Sequence, residues 1–489
     1  MYEQEKIKLK KLKKIISLNI NPYPNKNYKI NYNIKKILKN KKKLIINNKN
    51  LLIYGRIFNI RNMTKSSFID IKDYNDKKIQ LFYNIKNINN KYLSNEYYIN
   101  LFKKYLDIGD IIWIKGKLFI TKLKEYTILI NKIILLSKCI YPLPNFKSKN
   151  KKNYYKFNNK EKRYRMRYID LIINKNVKNN FKLRTIIINY IRQFLIKKKF
   201  FEVDTPILQN IPGGAKAKPF ITYHNKFKKK LYLRISNELY LKKIIVGGFK
   251  KIYEFSRNFR NESIDKNHNP EFTILEIYII NKNYIWMMKF IEKLLKYIFY
   301  KTFKKYKLKI NDNLIINFKK KIKKEKLFNI INKCTNLNIN ENTKLKNLLI
   351  KCKKLNLNIK EKNKDKIIDY LFKKYCKKKI INPIFIIDYP KFMSPLAKCK
   401  KNNNKLTERF ELYINGQEIA NAYTELNDPI EQLKRLKKQN KKYIDKDFIK
   451  ALKIGMPPTV GIGIGIDRLI SLLTNNYNIQ EIIFFPQMK

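Results

Sequence analysis

A charged β-hairpin is the clearest structural signal in the chain, because Phe255–Glu262 and His268–Tyr278 read as two strands joined by a short loop. Phe272, Glu276 and Tyr278 are evenly spaced, so their side chains share one face of the second strand. An arginine, a histidine, an aromatic ring and a carboxylate would then converge on one patch of sheet. Such a patch suits the binding of a phosphate together with an amine, although the same residues would also suit an ordinary charged hairpin.

A second segment, Gly461–Arg468, alternates glycine with isoleucine before it ends in Asp467 and Arg468. The glycines are spaced two and two, which differs from the GxGxxG pattern of dinucleotide-binding folds. Three glycines on one face of a strand leave room for a flat ligand to approach the backbone. Arg468, at the start of the apolar segment that follows, is placed to clamp such a ligand.

Composition decides how much weight each residue type carries. The net charge is +73, and lysine, asparagine, isoleucine, tyrosine and phenylalanine dominate. AT-rich codons encode all five, so drift explains the charge, and lysines spread through every segment are weak evidence for a polyanionic partner. Arginine supplies a bidentate fork and glycine permits positive φ. None of the 13 arginines or 12 glycines lies between Asn261 and Glu408, so the segments that keep them are where we expect chemistry.

Five cysteines without a CxxC pair indicate a reducing compartment, and we expect a cytoplasmic protein without a zinc site or a disulfide framework. The sequence has no apolar run of about 18 residues, so we expect no transmembrane helix and no membrane partner. Residues 1–48 are predicted to form a basic helical extension, since they lack the apolar core of a signal peptide.

Residues 49–140 are predicted to form a small β-barrel of the OB type, because five short alternating segments follow one another there. The segments are Leu51–Phe58, Ser67–Lys72, Lys78–Tyr83, Ile111–Ile120 and Tyr126–Ile130. On such a barrel Phe68 could stack on a base and Gln80 could read its edge. Phe68 as a plain core residue is the alternative.

A proline-containing linker, residues 141–162, separates the predicted barrel from a second domain, residues 163–489. Within that domain a lysine-rich segment, about 300–380, is predicted to be a helical insert. A helical stripe over Phe181–Lys199 runs into a strand with Pro206, which is a plausible dimer seam. Asp428, Pro429 and Glu431 suit the first turn of a helix.

Glu418 and Glu425 are seven residues apart, so a straight strand would place them on opposite faces. They converge only if the strand ends between them. Converging carboxylates would make a Mg²⁺ site for a nucleotide; otherwise they are ordinary surface acids.

Together these motifs resemble class II lysyl-tRNA synthetase over nearly the whole chain, apart from the helical region before Ile387, which matches poorly. The region at Val203–Pro206 resembles the dimer motif of that class, Phe259–Thr273 its second motif and Gly463–Arg468 its third. The resemblance implies an α+β protein: an N-terminal OB-fold β-barrel that binds the anticodon, followed by an antiparallel catalytic sheet flanked by helices. It also implies a homodimer, with L-lysine, ATP with Mg²⁺, and tRNA(Lys) as ligands.

The resemblance also implies residue roles. Arg260 and Arg468 would be catalytic, and ATP would be bound by Arg260, Glu262, His268, Asn269, Phe272, Glu418 and Arg468. Lysine would be bound by Gly214, Glu238, Arg260, Glu276, Tyr278, Asn421, Tyr423 and Glu425. Mg²⁺ would be held by Glu418 and Glu425, and the anticodon by Phe68 and Gln80. The chain departs from the family at Thr64, Lys77 and Lys124, where turn glycines are usual, and at Lys218, where arginine is usual.

The implied reaction is activation of lysine by ATP to lysyl-adenylate, with release of pyrophosphate, and transfer of lysine to the 3′ end of tRNA(Lys). Two alternatives remain open at this stage. A paralogue that lysylates a protein would usually lack the barrel domain, which this chain has. A non-catalytic RNA-binding protein on a synthetase scaffold would not need Arg260, Glu418, Glu425 and Arg468, all of which are present.

Overall fold

The computed structural model describes residues 2–64, 66–84, 104–144, 146–149, 152–155, 157–311, 314–357, 361, 363–439 and 444–488. The chain divides into two compact units. The first comprises Met1–Arg163 with Tyr168–Lys175, and the second comprises Tyr164–Arg167 with Asn176–Lys489. In the described ranges, no helix combines the length and the apolar character that crossing a membrane requires.

The first unit begins with three helices, of which the first is the predicted N-terminal helix: α1 (Tyr2–Ser17), α2 (Ile34–Lys39) and α3 (Lys41–Ile46). Five strands follow: β1 (Asn50–Asn62), β2 (Ser66–Lys72), β3 (Lys78–Asn84), β4 (Ile111–Ile120) and β5 (Tyr126–Ser137). They close into a barrel in the order β1-β2-β3-β5-β4. Alternate residues point inward, such as Leu51, Ile53 and Ile57 of β1, all of which are buried. The predicted barrel is therefore confirmed.

The turn between β4 and β5 shows how the barrel accommodates lysine at a position where the resembling family usually has glycine. Lys124 has φ +60°, which lies in the left-handed region that favours glycine. The lysine keeps the turn conformation at some cost in backbone strain. The predicted linker contains the hairpin β6 (Phe146–Lys149) and β7 (Lys152–Tyr155), and its last three residues already belong to the next helix, which begins at Lys160.

Eleven further helices among the described residues are α4 (Lys160–Arg165), α5 (Arg167–Ile173), α6 (Lys175–Lys197), α7 (Glu238–Val246), α8 (Tyr284–Phe303), α9 (Leu327–Thr335), α10 (Leu345–Lys353), α11 (Lys364–Leu371), α12 (Pro429–Gln439), α13 (Lys446–Gly455) and α14 (Ile466–Leu473). The short strands are β8 (Phe201–Glu202), β9 (Leu208–Gln209), β10 (Ile221–His224), β11 (Lys229–Leu233), β14 (Lys307–Asn311), β15 (Leu314–Asn317), β16 (Lys323–Lys326), β18 (Cys399–Lys400) and β19 (Asn403–Thr407). The remaining strands of the large sheet are β12 (Lys251–Phe259), β13 (Glu271–Ile280), β17 (Ile384–Ile387), β20 (Arg409–Ile414), β21 (Gln417–Thr424) and β22 (Thr459–Gly465).

An eight-stranded sheet organises the second unit, in the order β16-β17-β20-β21-β22-β13-β12-β8. Its six inner strands pair antiparallel, and only the outermost pairs, β16 with β17 and β8 with β12, are parallel. One face packs on the core through residues such as Ile462 and Ile464 of β22, together with the buried stripes of α6, α8 and α14. The predicted α+β fold with an antiparallel central sheet is confirmed.

Local capping fixes where key helices start. The Asp428 carboxylate accepts hydrogen bonds from the backbone N–H groups of Ile430 (2.9 Å) and Glu431 (3.2 Å), so the predicted helix start is confirmed. The Asn283 side chain accepts from the Trp286 N–H at 3.1 Å and caps α8 in the same way.

The lysine-rich segment was predicted to be a helical insert, and this prediction is only partly correct, because the segment also contains strands. It begins with β14, β15 and β16 before the helices α9, α10 and α11. Strand β16 lies at the sheet edge, and Lys323, Lys324 and Lys326 are exposed, so the strand shows no apolar alternation. The helices form a separate hydrophobic cluster that includes Leu348 and Ile367.

Candidate active site

One cavity of about 1490 Å³ in the second unit collects the predicted site residues. All fourteen predicted for ATP, lysine and metal line it: Gly214, Glu238, Arg260, Glu262, His268, Asn269, Phe272, Glu276, Tyr278, Glu418, Asn421, Tyr423, Glu425 and Arg468. The two helix-based residues, Glu238 and Arg468, come from the first turns of α7 and α14. The others lie on the sheet or in the loops that join its strands.

Strand register explains why side chains from three strands meet here. Glu276 of β13 is opposite Gly463 of β22, which is in turn opposite Asn421 of β21. Tyr278, Gly461 and Tyr423 form the next such row. Residues opposite one another in a sheet share a face, so each glycine has a polar side chain on either side.

The glycines make room for the pocket's own side chains, which the sequence did not predict. A Cβ at Gly461 would collide with Glu425 Oε1 and the Tyr278 ring, and a Cβ at Gly463 would lie 2.7 Å from Glu276 Oε1. The bare strand face was expected to admit a flat ligand. At these two positions it admits the acids and the tyrosine of the pocket.

Arg260 presents an unsatisfied donor group to the cavity. Its backbone N–H donates to the Pro270 carbonyl at 2.8 Å, and its guanidinium lies 5.0 Å from the centroid of the Phe272 ring. The buried Nε finds no hydrogen-bond partner among the described residues. Burial lowers the pKa of Arg260 against the opposing effect of Glu262 and Glu418, and this arginine remains charged because its ordinary pKa is so high. An unpaired buried guanidinium N–H is a site for an anion.

Arg468 lies across the cavity on α14 and is held by two neighbours. Its Nη1 donates to the Glu418 carbonyl at 3.1 Å and to Glu418 Oε2 at 3.4 Å. Its Nη2 lies 3.4 Å from His268 Nε2. His268 Nδ1 lies 2.8 Å from Asp265 Oδ2, so the tautomer with a proton on Nδ1 can donate to Asp265 and accept from Arg468. The side chain of Arg468 is 28% exposed and so remains accessible to a ligand.

Three buried carboxylates, Glu238, Glu276 and Glu425, form the acidic end of the cavity. The Tyr278 hydroxyl donates to Glu276 Oε2 at 3.2 Å, and the Tyr423 hydroxyl donates to Glu238 Oε1 at 2.6 Å. Burial and the negative charge of Glu238 raise the pKa of Glu276 to about 8. Burial likewise raises the pKa of Glu425, although Lys242 opposes the shift. The site therefore holds protons at neutral pH that a cationic ligand would displace.

Glu418 and Glu425 have different partners. Strand β21 ends at Thr424, so Glu425 lies just past the strand, as convergence would require. Glu418 bonds to Arg468, whereas Glu425 Oε2 lies 2.5 Å from the ammonium of Lys242. Glu425 Oε1 has no hydrogen-bond donor in the described parts of the chain. Glu418 is partly exposed and Glu425 is buried.

One side chain of the cavity wall, and one buried behind that wall, escaped the sequence reasoning. Arg409 lines the cavity, and its Nε donates to Asn421 Oδ1 at 3.1 Å while its guanidinium also pairs with Glu411. As a retained arginine in a lysine-rich chain it carried a usable signal. Lys242, fully buried between Glu238 and Glu425, carried none, because lysine is abundant everywhere in the sequence.

The predicted barrel residues lie on one outer face of the barrel. Phe68 is half-buried, and its ring centroid lies 4.8 Å from that of Phe82. The Gln80 side chain accepts from the Thr127 hydroxyl at 2.8 Å. Arg61 lies over the Phe68 ring at 5.7 Å. Partly exposed aromatic rings beside an exposed arginine suit stacking with unpaired bases, and sequence reasoning missed Arg61 and Phe82.

Comparison with known proteins finds a matching protein family for each of two segments of the chain. Residues 159–489 match the family described as "tRNA synthetases class II (D, K and N)", and residues 51–136 match the "OB-fold nucleic acid binding domain". A lysine–tRNA ligase from Azobacteroides pseudotrichonymphae is 46% identical over 100% of this chain and 99% of its own. The chain belongs to the class II lysyl-tRNA synthetases.

Other members of this family match at similar identity. The lysine–tRNA ligase of Wigglesworthia glossinidia brevipalpis is 45% identical over 99% of this chain and 97% of its own. That of Porphyromonas gingivalis strain W83 is 44% identical over 100% of this chain and 86% of its own. The similarity to class II lysyl-tRNA synthetases therefore includes the lysine-rich segment, and the chain is an aminoacyl-tRNA ligase.

Proposed function

We propose that the cavity catalyses lysine activation and transfer: it joins L-lysine to ATP as lysyl-adenylate, releases pyrophosphate, and then passes lysine to the 3′ end of tRNA(Lys). The observation that carries this proposal is the pairing of two opposite sites in one cavity. Arg260 offers an unpaired buried donor for phosphate and carboxylate oxygens. Glu238, Glu276 and Glu425 offer buried acceptors for ammonium groups.

In the first step an oxygen of the lysine carboxylate attacks the α-phosphorus in line. A bond forms between this oxygen and the α-phosphorus. The bond from the α-phosphorus to the oxygen that bridges to the β-phosphorus breaks at the same time, and pyrophosphate leaves with the electron pair. Arg260 stabilises the negative charge that grows on the phosphoryl oxygens. The reaction needs no protein nucleophile, because holding the two reactants in line supplies most of the effect.

The residues around Arg260 are proposed to hold ATP in that position. Phe272 and Arg468 lie on the cavity wall and would sandwich the adenine ring, since arginine stacks well on a flat base. Glu262, His268 and Asn269 would contact the rest of the nucleotide. Asn269 keeps a buried Oδ1 with no donor in the described ranges, although its Nδ2 donates to the Glu271 carbonyl.

Glu418 and Glu425 are proposed to hold Mg²⁺ that arrives with ATP. The accessible carboxylate of Glu418 and the unpaired Oε1 of Glu425 are hard oxygen donors of the kind that Mg²⁺ prefers. In the described ranges no cluster of three or more acidic, histidine or cysteine residues could hold a metal ion, so phosphate and water oxygens would complete the shell. Bound there, Mg²⁺ would neutralise phosphate charge.

Substrate choice is proposed to rest on the acidic end. Glu276 and Tyr278 would receive the ε-ammonium, while Gly214, Glu238 and Asn421 would hold the α-groups, with Tyr423 and Glu425 beside them. Gly214 has φ +83°, and a Cβ there would lie 2.9 Å from Ser236 Oγ. Glycine therefore keeps this part of the wall open. An uncharged analogue would leave buried acceptors unpaired and be rejected.

The experiment that tests the function is amino-acid-dependent ATP–pyrophosphate exchange with lysine, ornithine, arginine, aspartate and asparagine. We expect strong exchange with lysine and weaker exchange with ornithine, by about 10–200-fold because it lacks one methylene. Absence of exchange with all five, from folded protein, would favour the non-catalytic RNA-binding alternative. Lysylation of a protein without charging of tRNA would favour the other alternative.

Replacing Phe68 with alanine is expected to raise the KM for tRNA in lysine charging by about 5–150-fold, since stacking of a base contributes about 1–3 kcal/mol. Lysine-dependent ATP–pyrophosphate exchange should not change. The matched control is Phe58→Ala. Phe58 belongs to the same barrel, and its ring lies beside Lys72. Equal losses in the two variants would contradict an anticodon role for Phe68.

Lysine binding is expected to release protons near neutral pH. Glu276 with a pKa of about 8 is largely protonated in the free site at pH 7, and an ammonium ligand favours the ionised form. Lysine affinity should therefore weaken as the pH falls below about 8, by about tenfold per pH unit for each proton released. Titration calorimetry at pH 7 in buffers of different ionisation enthalpy measures the release, and heats that do not depend on the buffer would contradict it.

We also propose a homodimer through the edge of the sheet at β8. Large apolar side chains are exposed there. The rings of Phe201 and Phe249 contact each other in a tilted arrangement, with centroids 5.5 Å apart, and are 59% and 45% exposed. Ile221 and Phe227, on or beside the small sheet of β9, β10 and β11, are also exposed. Exposed apolar clusters of this kind mark protein contacts.

Phe201→Glu is expected to turn the dimer into a monomer, because a buried interface does not accept an unpaired charge. Light scattering after size exclusion measures the mass at micromolar concentration. Phe303→Glu would disturb the core, so the better control is Tyr300→Glu, which charges another exposed aromatic of the second unit. A Phe201→Glu variant that keeps the mass of the parent protein would rule out this surface.

The domain boundaries are part of the proposal. We assign residues 1–48 to the basic extension, 49–140 to the anticodon-binding barrel, 141–162 to the linker and 163–489 to the catalytic domain with its insert at about 300–380. The matched ranges 51–136 and 159–489 support this division. A cytoplasmic location is proposed from the five cysteines, which are all free.

A further inference from the structure

Lys242 is the most completely buried cation of the cavity region. It lies one helical turn after Glu238 on α7, its exposed fraction is 0%, and its Nζ is 2.5 Å from Glu238 Oε1 and 2.5 Å from Glu425 Oε2. Its ammonium also lies 5.6 Å from the Tyr423 ring and 5.8 Å from the Phe448 ring.

The ammonium is charged in this position. Burial by itself would lower the pKa of Lys242, but Glu238 and Glu425 outweigh burial and raise it. Lys242 therefore bridges two carboxylates that belong to different elements, α7 and the end of β21. Through Glu238 it also connects to the Tyr423 hydroxyl, which donates to the same oxygen that Lys242 contacts.

The charges of the acidic end balance those of lysine when Lys242 is counted. Glu238, Glu276 and Glu425 contribute three negative charges when ionised, and Lys242 contributes one positive charge, which leaves two unbalanced negative charges. Lysine brings two ammonium groups, and its carboxylate has Arg260. Mg²⁺ at the free Oε1 of Glu425 would arrive with the phosphate charges of ATP, which balance it, so it does not enter this count. The other titratable groups facing this cluster are Tyr278 and Tyr423, which act as neutral donors, and Glu254, which is paired with Arg234 at 2.8 Å.

We propose that Lys242 is a positioning residue that acts as a fixed counter-cation: it sets the acidic pocket to accept two ammonium groups and holds Glu238 and Glu425 in place to receive them. This inference rests on the proposed lysine-activating function. The pocket has three carboxylates and lysine has two ammonium groups, so Lys242 supplies the positive charge that the third carboxylate needs. Removing its charge should therefore weaken lysine binding, even though it makes the pocket formally more acidic, because Glu238 and Glu425 lose the ammonium at 2.5 Å that holds both carboxylates in place.

The test compares Lys242→Met, which keeps the length of the side chain and removes its charge, with Lys242→Arg, which keeps the charge. In ATP–pyrophosphate exchange, the KM for lysine of Lys242→Met should rise by at least about tenfold, the lower range for a lost hydrogen bond to a charged group. The KM for ATP should change by less than about threefold. Lys242→Arg should recover part of the lysine affinity. In Lys242→Ala, added ethylammonium should restore exchange and neutral ethanol should not.

The control is Lys138→Met, because Lys138 is the matching fully buried lysine of the other unit and lies 2.6 Å from Asp107 and 2.8 Å from Asp110. It should leave both KM values unchanged, whatever its effect on the melting temperature. An unchanged KM for lysine in Lys242→Met would overturn the inference. So would equal changes in both KM values without rescue by ethylammonium, which would make Lys242 a purely structural residue. Failure of the parent protein to exchange with lysine would instead overturn the proposed function.

Discussion

Replacing Arg260 with lysine is expected to reduce lysine-dependent ATP–pyrophosphate exchange by about 10²–10³-fold in kcat, the usual cost of losing a preorganised donor to a developing charge. Lysine keeps the positive charge but cannot copy the planar fork of arginine. It would also lose the face-on contact with the Phe272 ring. Steady-state exchange with ATP and lysine varied separately measures the effect.

Arg257→Lys is the matched control for this prediction. Arg257 lies three residues earlier on β12, which ends just before Arg260. Its side chain is 48% exposed and pairs with Glu271 at 2.8 Å at the surface. Its replacement should leave exchange within about twofold, as expected for a surface ion pair. Similar losses in the two variants would mean that the hairpin, rather than the buried fork of Arg260, limits the reaction.

Replacing Glu276 with glutamine is expected to raise the KM for lysine by about 10–100-fold, because it removes a charged acceptor from the buried pocket while keeping the shape of the side chain. The KM for ATP should stay nearly constant, since Glu276 lies at the acidic end of the cavity. The variant should also release fewer protons when it binds lysine. Initial rates of exchange and buffer-dependent calorimetry measure these effects separately.

Glu271→Gln provides the comparison on the same strand. Its carboxylate is 40% exposed and serves only the Arg257 ion pair among the contacts described above. Lysine kinetics in this variant should match those of the parent protein. A Glu276→Gln variant with unchanged lysine kinetics would remove Glu276 from the pocket that we propose.

Sequence reasoning reached the fold and the cavity through the residues that composition could not explain. Arg260 and Gly461–Arg468 stood out because drift toward lysine and asparagine had left them in place. The strand position of the three glycines followed from their spacing by two. The register that brings Glu276, Gly463 and Asn421 into one row was not accessible in this way, because pairing between strands distant in sequence depends on the whole sheet.

The features that escaped prediction did so because they depend on tertiary packing or lack a pattern in the sequence. Lys242 looks like any other lysine in a lysine-rich chain, and only the packing of α7 shows that it is buried. The partners of Glu418 and Glu425 depend on where β21 ends, which a pattern of residues fixes only to within a few positions. Strand β16 was not predicted, because an edge strand with solvated lysines has no apolar alternation in its sequence.

The close contact between Gly463 and Glu276 links two positions that are distant in sequence. Any side chain at 463 would enter the space that the Glu276 carboxylate fills, with only 2.7 Å between the added atom and Oε1. A change of either residue is therefore constrained by the identity of the other. Redesign of this pocket for a different amino acid would have to alter both strands at once, since a larger residue on β22 becomes possible only after β13 carries a shorter one.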